Sequence, residues 1–136
     1  MQWDYGIQIV LFFFAISIGL TVLIELPIIR LFHVTKRNLF IIAVNALTNV
    51  IFNMGLVFLI WRLAVYEGAE FIVMIIGYVL LAEFYVIPFS ECELYCRISE
   101  KQRKSILKAC YVANVSSFVL GCVFDFLFLS YSGNLL

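Results

Sequence analysis

The chain has 136 residues, 65% hydrophobic and only 13% charged, with nine basic and nine acidic residues and a mean hydropathy of +1.08. Ordinary soluble domains carry about 45–50% apolar and about 25% charged residues. That excludes a soluble domain as the body of the protein. The basic stretch near residues 93–108 is short and flanks apolar runs, as loops beside membrane spans do, so nucleic acid is excluded as a partner.

The apolar residues fall into four blocks, which predict a single all-α transmembrane domain over residues 1–136. The blocks run over 5–32, 38–61, 70–91 and 107–131. A helix rising about 1.5 Å per residue needs roughly 20 residues to cross the hydrocarbon, and each block reaches that length. The expected architecture is a four-helix bundle in the lipid bilayer.

The first block is too long for a signal peptide and has no basic residues before it, so it is expected to stay in the mature protein. It ends in "LIELPIIR", where Glu25 stands two residues before Pro27. Its polar residues Ser17, Thr21 and Glu25 are four apart and share one helix face. The second block carries Asn45, Asn49 and Asn53 at the same spacing, with Thr48 beside them. The third carries Glu83, Pro88, Ser90 and Glu91 and continues into "ECELYCRISEKQ", where no breaker is present, so its helix is expected to run on past the membrane. The fourth carries Asn114, Ser117, Gly121 and Asp125. Such stripes turn toward the bundle interior, away from lipid.

Lysine and arginine set the direction. Arg30, Lys36 and Arg37 follow the first block; Arg97, Lys101, Arg103, Lys104 and Lys108 lie between the third and fourth; only Arg62 is on the other side. By the positive-inside rule both basic loops are cytoplasmic and both termini extracytoplasmic, in a cytoplasmic (inner) membrane, and insertion in both orientations is disfavoured. Trp3, Tyr5, Trp61, Tyr66 and Tyr131 fall near the outer ends of the blocks, as an interfacial aromatic belt requires.

Counting from the cytoplasmic charges places Glu25, Asn45, Glu91 and Asn114 in one layer, roughly 8–12 Å deep at about 1.5 Å per residue. Glu83 is about two turns deeper, near Thr21, Asn49 and Ser117. Pro27 cannot bond the carbonyl of Leu23, and Pro88 cannot bond that of Phe84, so each leaves a free carbonyl near a glutamate. A carboxylate, a bare carbonyl and an amide together suit a proton or small cation. The expected site is therefore Glu25, Glu83, Glu91, Asn45, Thr48, Asn49, Asn114 and Ser117, with Pro27 and Pro88 as helix-breaking support. The asparagines, serine and threonine alone would serve equally as interhelical glue; the ionisable groups call for a further reason.

A faint repeat links "ELPIIR … AVNALTN" with "EFYVIP … VANVSSF": glutamate, proline, loop, then asparagine followed three residues on by threonine or serine. It predicts two parallel hairpins about an axis along the membrane normal. The spacing is uneven: Glu25 to Asn45 is 20 positions, Glu83 to Asn114 is 31.

Cys92 and Cys96, with His33 as the single histidine, give a weak metal signal, and cysteines at a cytoplasmic face do not predict disulfides. No HExxH, nucleophile–histidine pair or glycine-rich phosphate loop is present, so no cofactor is expected and a non-enzymatic role is favoured. The expected function is a proton- or cation-linked transporter or a subunit of one. The alternatives are a non-catalytic partner of a larger membrane complex, or a homo-oligomer, and an intramembrane enzyme using the carboxylates.

Overall fold

In the computed structural model, backbone is described for residues 2–63 and 68–132, and side chains for 15–63, 68–124, 126 and 127. The described chain is all helical. In order it forms α1 (Gln2–Leu31), α2 (Asn38–Leu63), α3 (Ala69–Leu81), a π-turn (Ala82–Val86), α4 (Ile87–Cys96) and α5 (Arg103–Ser132). α3, the π-turn and α4 join end to end as one rod. That rod, α2, and α5 from Arg103 to Phe124 are each long and apolar enough to cross a membrane. α1 is a further helix of 30 residues.

Among the described residues, the helices pack as a ring: α1 on α2, α2 on the α3–α4 rod, α4 on α5, and α5 back on α1. The packed core lies at one end of the ring, beside the two basic loops. There Ile29 and Val34, Ile41 and Val44, Cys92 and Tyr95, and Ile106, Ala109, Cys110 and Ala113 of α5 meet with almost no exposure. Ala109, Cys110 and Ala113 are small, which lets the helices of α5's neighbours approach closely. The other end is looser, and α3 buries none of its residues. The outer faces are strongly apolar: Leu39, Ile51 and Met54 on α2, Val73 on α3 and Phe126 on α5 are all more than 60% exposed. In water a continuous surface of this kind would drive association; in hydrocarbon it is the ordinary outer face of a bundle.

α1 ends in a Schellman motif built around His33. The Val34 amide bonds the Ile29 carbonyl at 3.1 Å, and the His33 amide bonds that of Arg30 at 2.9 Å. His33 has φ 53°, the left-handed conformation usually given to glycine. The motif's hydrophobic contact is present too, because Ile29 and Val34 belong to the same core. The lone histidine therefore closes a helix.

Two expectations are corrected at the prolines and one in the third block. α1 runs unbroken through Pro27, whose ring is exposed. At Pro88 the adjustment falls on the preceding turn. The Ile87 amide bonds back to the carbonyl of Ala82, five residues away, so Ala82–Val86 becomes a π-turn with Glu83 inside it. A missing donor at Pro88 loosens the ladder there, and the wider register keeps the helix continuous. The third helix stops at Cys96 and does not continue through "RISEKQ". The Tyr95 carbonyl takes the amides of both Ile98 and Ser99, closing the turn that brings α5 back against α4. The polar segment beyond has no apolar face to bury and so no packing to hold it helical.

Candidate functional site

Just above the core, every helix of the ring contributes buried polar side chains. Glu25, Asn45, Thr48, Asn49, Glu91, Asn114 and Ser117 are all 9% exposed or less. They are held by helices whose remaining faces are apolar, so the i, i+3 and i+4 spacing alone directs them inward. No lysine, arginine or histidine is buried among the described residues.

The two fully buried glutamates are bonded crosswise. The Ser117 hydroxyl on α5 lies 2.8 Å from Glu25 Oε1 on α1, at hydrogen-bond distance. The Thr48 hydroxyl on α2 lies 3.0 Å from Glu91 Oε1 on α4. The carboxyl of the first hairpin thus takes the hydroxyl of the second, and the carboxyl of the second takes that of the first. Glu91 has an additional bond, from Asn114 Nδ2 to Oε2 at 2.8 Å. Its counterpart would join Asn45 to Glu25. That bond is absent: Glu25 Oε2 and both polar side-chain atoms of Asn45 are buried without a partner. Glu25 and Glu91 lie within electrostatic reach of each other, and Glu83 within reach of both.

The asparagines of α2 form a ladder. Asn49 Nδ2 donates to the Asn45 carbonyl and Asn53 Nδ2 to the Asn49 carbonyl, each at 2.9 Å. The carbonyl expected to be freed at Phe84 has no side-chain donor among the described residues. The Asn45 side chain bonds neither a carboxylate nor a carbonyl freed at a proline, although it is buried among them.

A cavity of about 210 Å³ opens in the looser half of the bundle, away from the basic loops. Glu25, Asn114 and Ser117 lie on its wall, with Glu83, Asn49 and Asn53. Thr21, Phe52 and Phe118 also line it. Glu91, Thr48 and Asn45 are not on that wall. The cavity therefore reaches one buried carboxyl directly and is separated from the other. Gly121 lines it with open space around its Cα, so a small residue here keeps the cavity wide. Asp125, on the polar stripe of the fourth block, has its side chain outside the described residues.

Tyr95 was missed in the sequence. It is fully buried, one turn beyond Glu91 on the same face, edge-on to Phe40 with ring centres 5.9 Å apart, and its hydroxyl has no partner. The i+4 spacing from Glu91 was the available signal. Cys92 and Cys96 are 3.9 Å apart at their sulfurs. Among the described residues no cluster of three His, Cys, Asp or Glu side chains is arranged to hold a metal ion. Outside this cluster, Arg103 pairs with Glu93 at the surface.

Comparison of the chain with protein-family models, with curated proteins and with solved structures finds no match.

Proposed function

We propose that the chain is a four-span integral membrane protein that handles a proton or a small cation, as a transporter or as a transporter subunit. The observation that carries this reading is the cavity wall: two glutamates, Glu25 and Glu83, face one space with amides and hydroxyls and without a basic residue. Interhelical glue needs hydrogen bonds only. Ionisable groups on a cavity in the membrane are costly and favour a role in ion passage.

In this reading both termini are extracytoplasmic and both basic loops cytoplasmic, on the eight-to-one distribution of lysine and arginine. The packed core then seals the cytoplasmic end and the cavity opens outward. The two hairpins form a parallel repeat about an axis along the membrane normal, supported by the crosswise bonds Ser117–Glu25 and Thr48–Glu91. The repeat is better matched through Glu91 than through Glu83, since Glu91 to Asn114 is 23 positions against 20 for Glu25 to Asn45.

The test is flux. The purified protein in liposomes loaded with a pH-sensitive dye should pass protons, or exchange them for a monovalent cation, when a gradient is applied. Glu25→Gln should abolish the flux while leaving helicity unchanged. Equal rates in wild type, variant and empty liposomes would end this reading. A second reading, a non-catalytic partner subunit, draws on α3, a 13-residue helix with no buried residue whose outer face is apolar beyond Glu70 in its first turn. It expects a stable complex with another membrane protein that survives Glu25→Gln.

A further inference from the structure

The hydrogen atoms around Glu25 and Glu91 can be counted. Ser117 has one hydroxyl hydrogen and two acceptors in reach, Glu25 Oε1 at 2.8 Å and the Asn114 carbonyl at 3.0 Å. Thr48 has one hydrogen and three acceptors: Glu91 Oε1 at 3.0 Å, the Val44 carbonyl at 3.1 Å and the Asn45 carbonyl at 3.2 Å. Helical serine and threonine hydroxyls commonly turn back to the carbonyl three or four residues earlier. When they do, the carboxyl oxygen faces a hydroxyl lone pair, and the contact holds only if the carboxyl supplies the hydrogen.

The rest of the surroundings agrees. Glu25 Oε2 is buried and receives no donor at all. A charged oxygen left bare is far more costly than the carbonyl oxygen of a neutral acid. The titratable groups facing the pair are Glu83 from the π-turn, Tyr95 from α4 and Cys110 from α5. α2 offers only Asn45, Thr48 and Asn49. None of these carries a positive charge, and two ionised carboxylates in mutual reach would repel without compensation.

We propose that Glu25 and Glu91 each hold a proton in this packing, so that the ion handled by the cluster is H⁺ rather than a metal cation, with Ser117 and Thr48 as reorienting hydroxyls. The inference deepens the ion-handling reading above and rests on it for its purpose. In the protonated state each acid O–H donates to the hydroxyl oxygen, and the hydroxyl donates to its backbone carbonyl. On dissociation the O–H bond breaks, its electron pair stays on the carboxylate, and water entering the cavity takes the proton. The hydroxyl then turns and donates to the carboxylate. Glu25 exchanges directly, being on the cavity wall. Glu91 lies off the wall and exchanges through Glu25 or when the helices part.

The experiment is infrared spectroscopy of the full chain in lipid nanodiscs at neutral pH, with and without sodium. Wild type should show the C=O absorption of protonated carboxyls. Glu25→Gln and Glu91→Gln should each remove one component, with helicity and elution unchanged. Ser117→Ala should shift only the Glu25 component, and Thr48→Val only that of Glu91; these two variants carry the test if a glutamine variant does not fold. Sodium should leave both components in place. Absence of protonated-carboxyl absorption, components that neither pair of variants moves, or absorption that sodium abolishes would overturn the assignment. The bands are read without any gradient. A chain that shows them but passes no protons in liposomes keeps both protons and loses the transport reading.

Discussion

The Ser117 hydroxyl on α5 and Glu25 Oε1 on α1 share a 2.8 Å hydrogen bond, and both side chains are buried where the cavity meets the packed core. With the bond joining Thr48 to Glu91 it pairs each hairpin's buried carboxyl with a hydroxyl of the other. Interhelical hydrogen bonds in membranes average about 0.6 kcal/mol. Ser117→Ala and Thr48→Val should therefore each lower stability only modestly, by about that amount, in denaturant titrations of detergent-solubilised protein. The double variant should cost about the sum if the two bonds are independent. A loss several times larger from either single change would mean that the bond organises the whole layer.

Asn45 and Asn114 should behave oppositely. Asn114 bonds Glu91 and the Cys110 carbonyl, whereas the Asn45 side chain is buried with no partner. An unsatisfied buried polar group costs about 1–3 kcal/mol. Asn45→Leu should raise stability by about 1 kcal/mol. Asn114→Leu should lower stability. Measuring thermal aggregation of both variants beside wild type checks the two effects.

His33 holds the left-handed position of the α1 terminus with φ 53°. A side chain in that conformation costs about 1–2 kcal/mol relative to glycine, partly offset by the extra entropy of glycine in the unfolded chain. His33→Gly should stabilise the protein by about 1 kcal/mol and leave flux untouched, and differential scanning of the two proteins would show the higher midpoint. An unchanged or lower midpoint would give the imidazole a role beyond the cap.

Gly55 permits the approach of α3. Tyr78 stacks on Phe52 at 5.4 Å and donates to the Phe52 carbonyl at 3.1 Å, and a Cβ at Gly55 would sit 2.2 Å from its hydroxyl oxygen. Gly55→Ala should displace Tyr78 and break that bond, at about 1 kcal/mol. Tyr78→Phe, which removes the bond and the clashing oxygen together, should make Gly55→Ala nearly silent in a double-mutant cycle.

The proposed topology is tested by labelling. In a background without the native cysteines, a cysteine at Ser132 should react with an impermeant thiol reagent added to intact cells, and one at Ser99 should not. The reverse pattern would invert the bundle and turn the cavity toward the cytoplasm.

Much of the architecture followed from local rules. Apolar blocks of about 20 residues leave little choice but helices in a bilayer, since every backbone group must be satisfied within its own segment. Polar residues four apart share a face whatever surrounds them, so Glu25, Asn45, Glu91 and Asn114 were bound to point the same way as their stripes. Tertiary packing decided which atoms meet. The partner of Glu25 is Ser117, one turn from the asparagine at the expected level, a choice made by how α1 and α5 settle against each other. The depth count alone set Glu91 level with Asn114; packing added Thr48 as its second partner and placed Glu83 on the cavity wall inside a π-turn whose form answers to Pro88. That Asn45 is buried without a partner while Asn114 has two is a property of the assembled ring alone. Both asparagines sit three residues before a hydroxyl on an inward stripe, and only the neighbouring helices distinguish them.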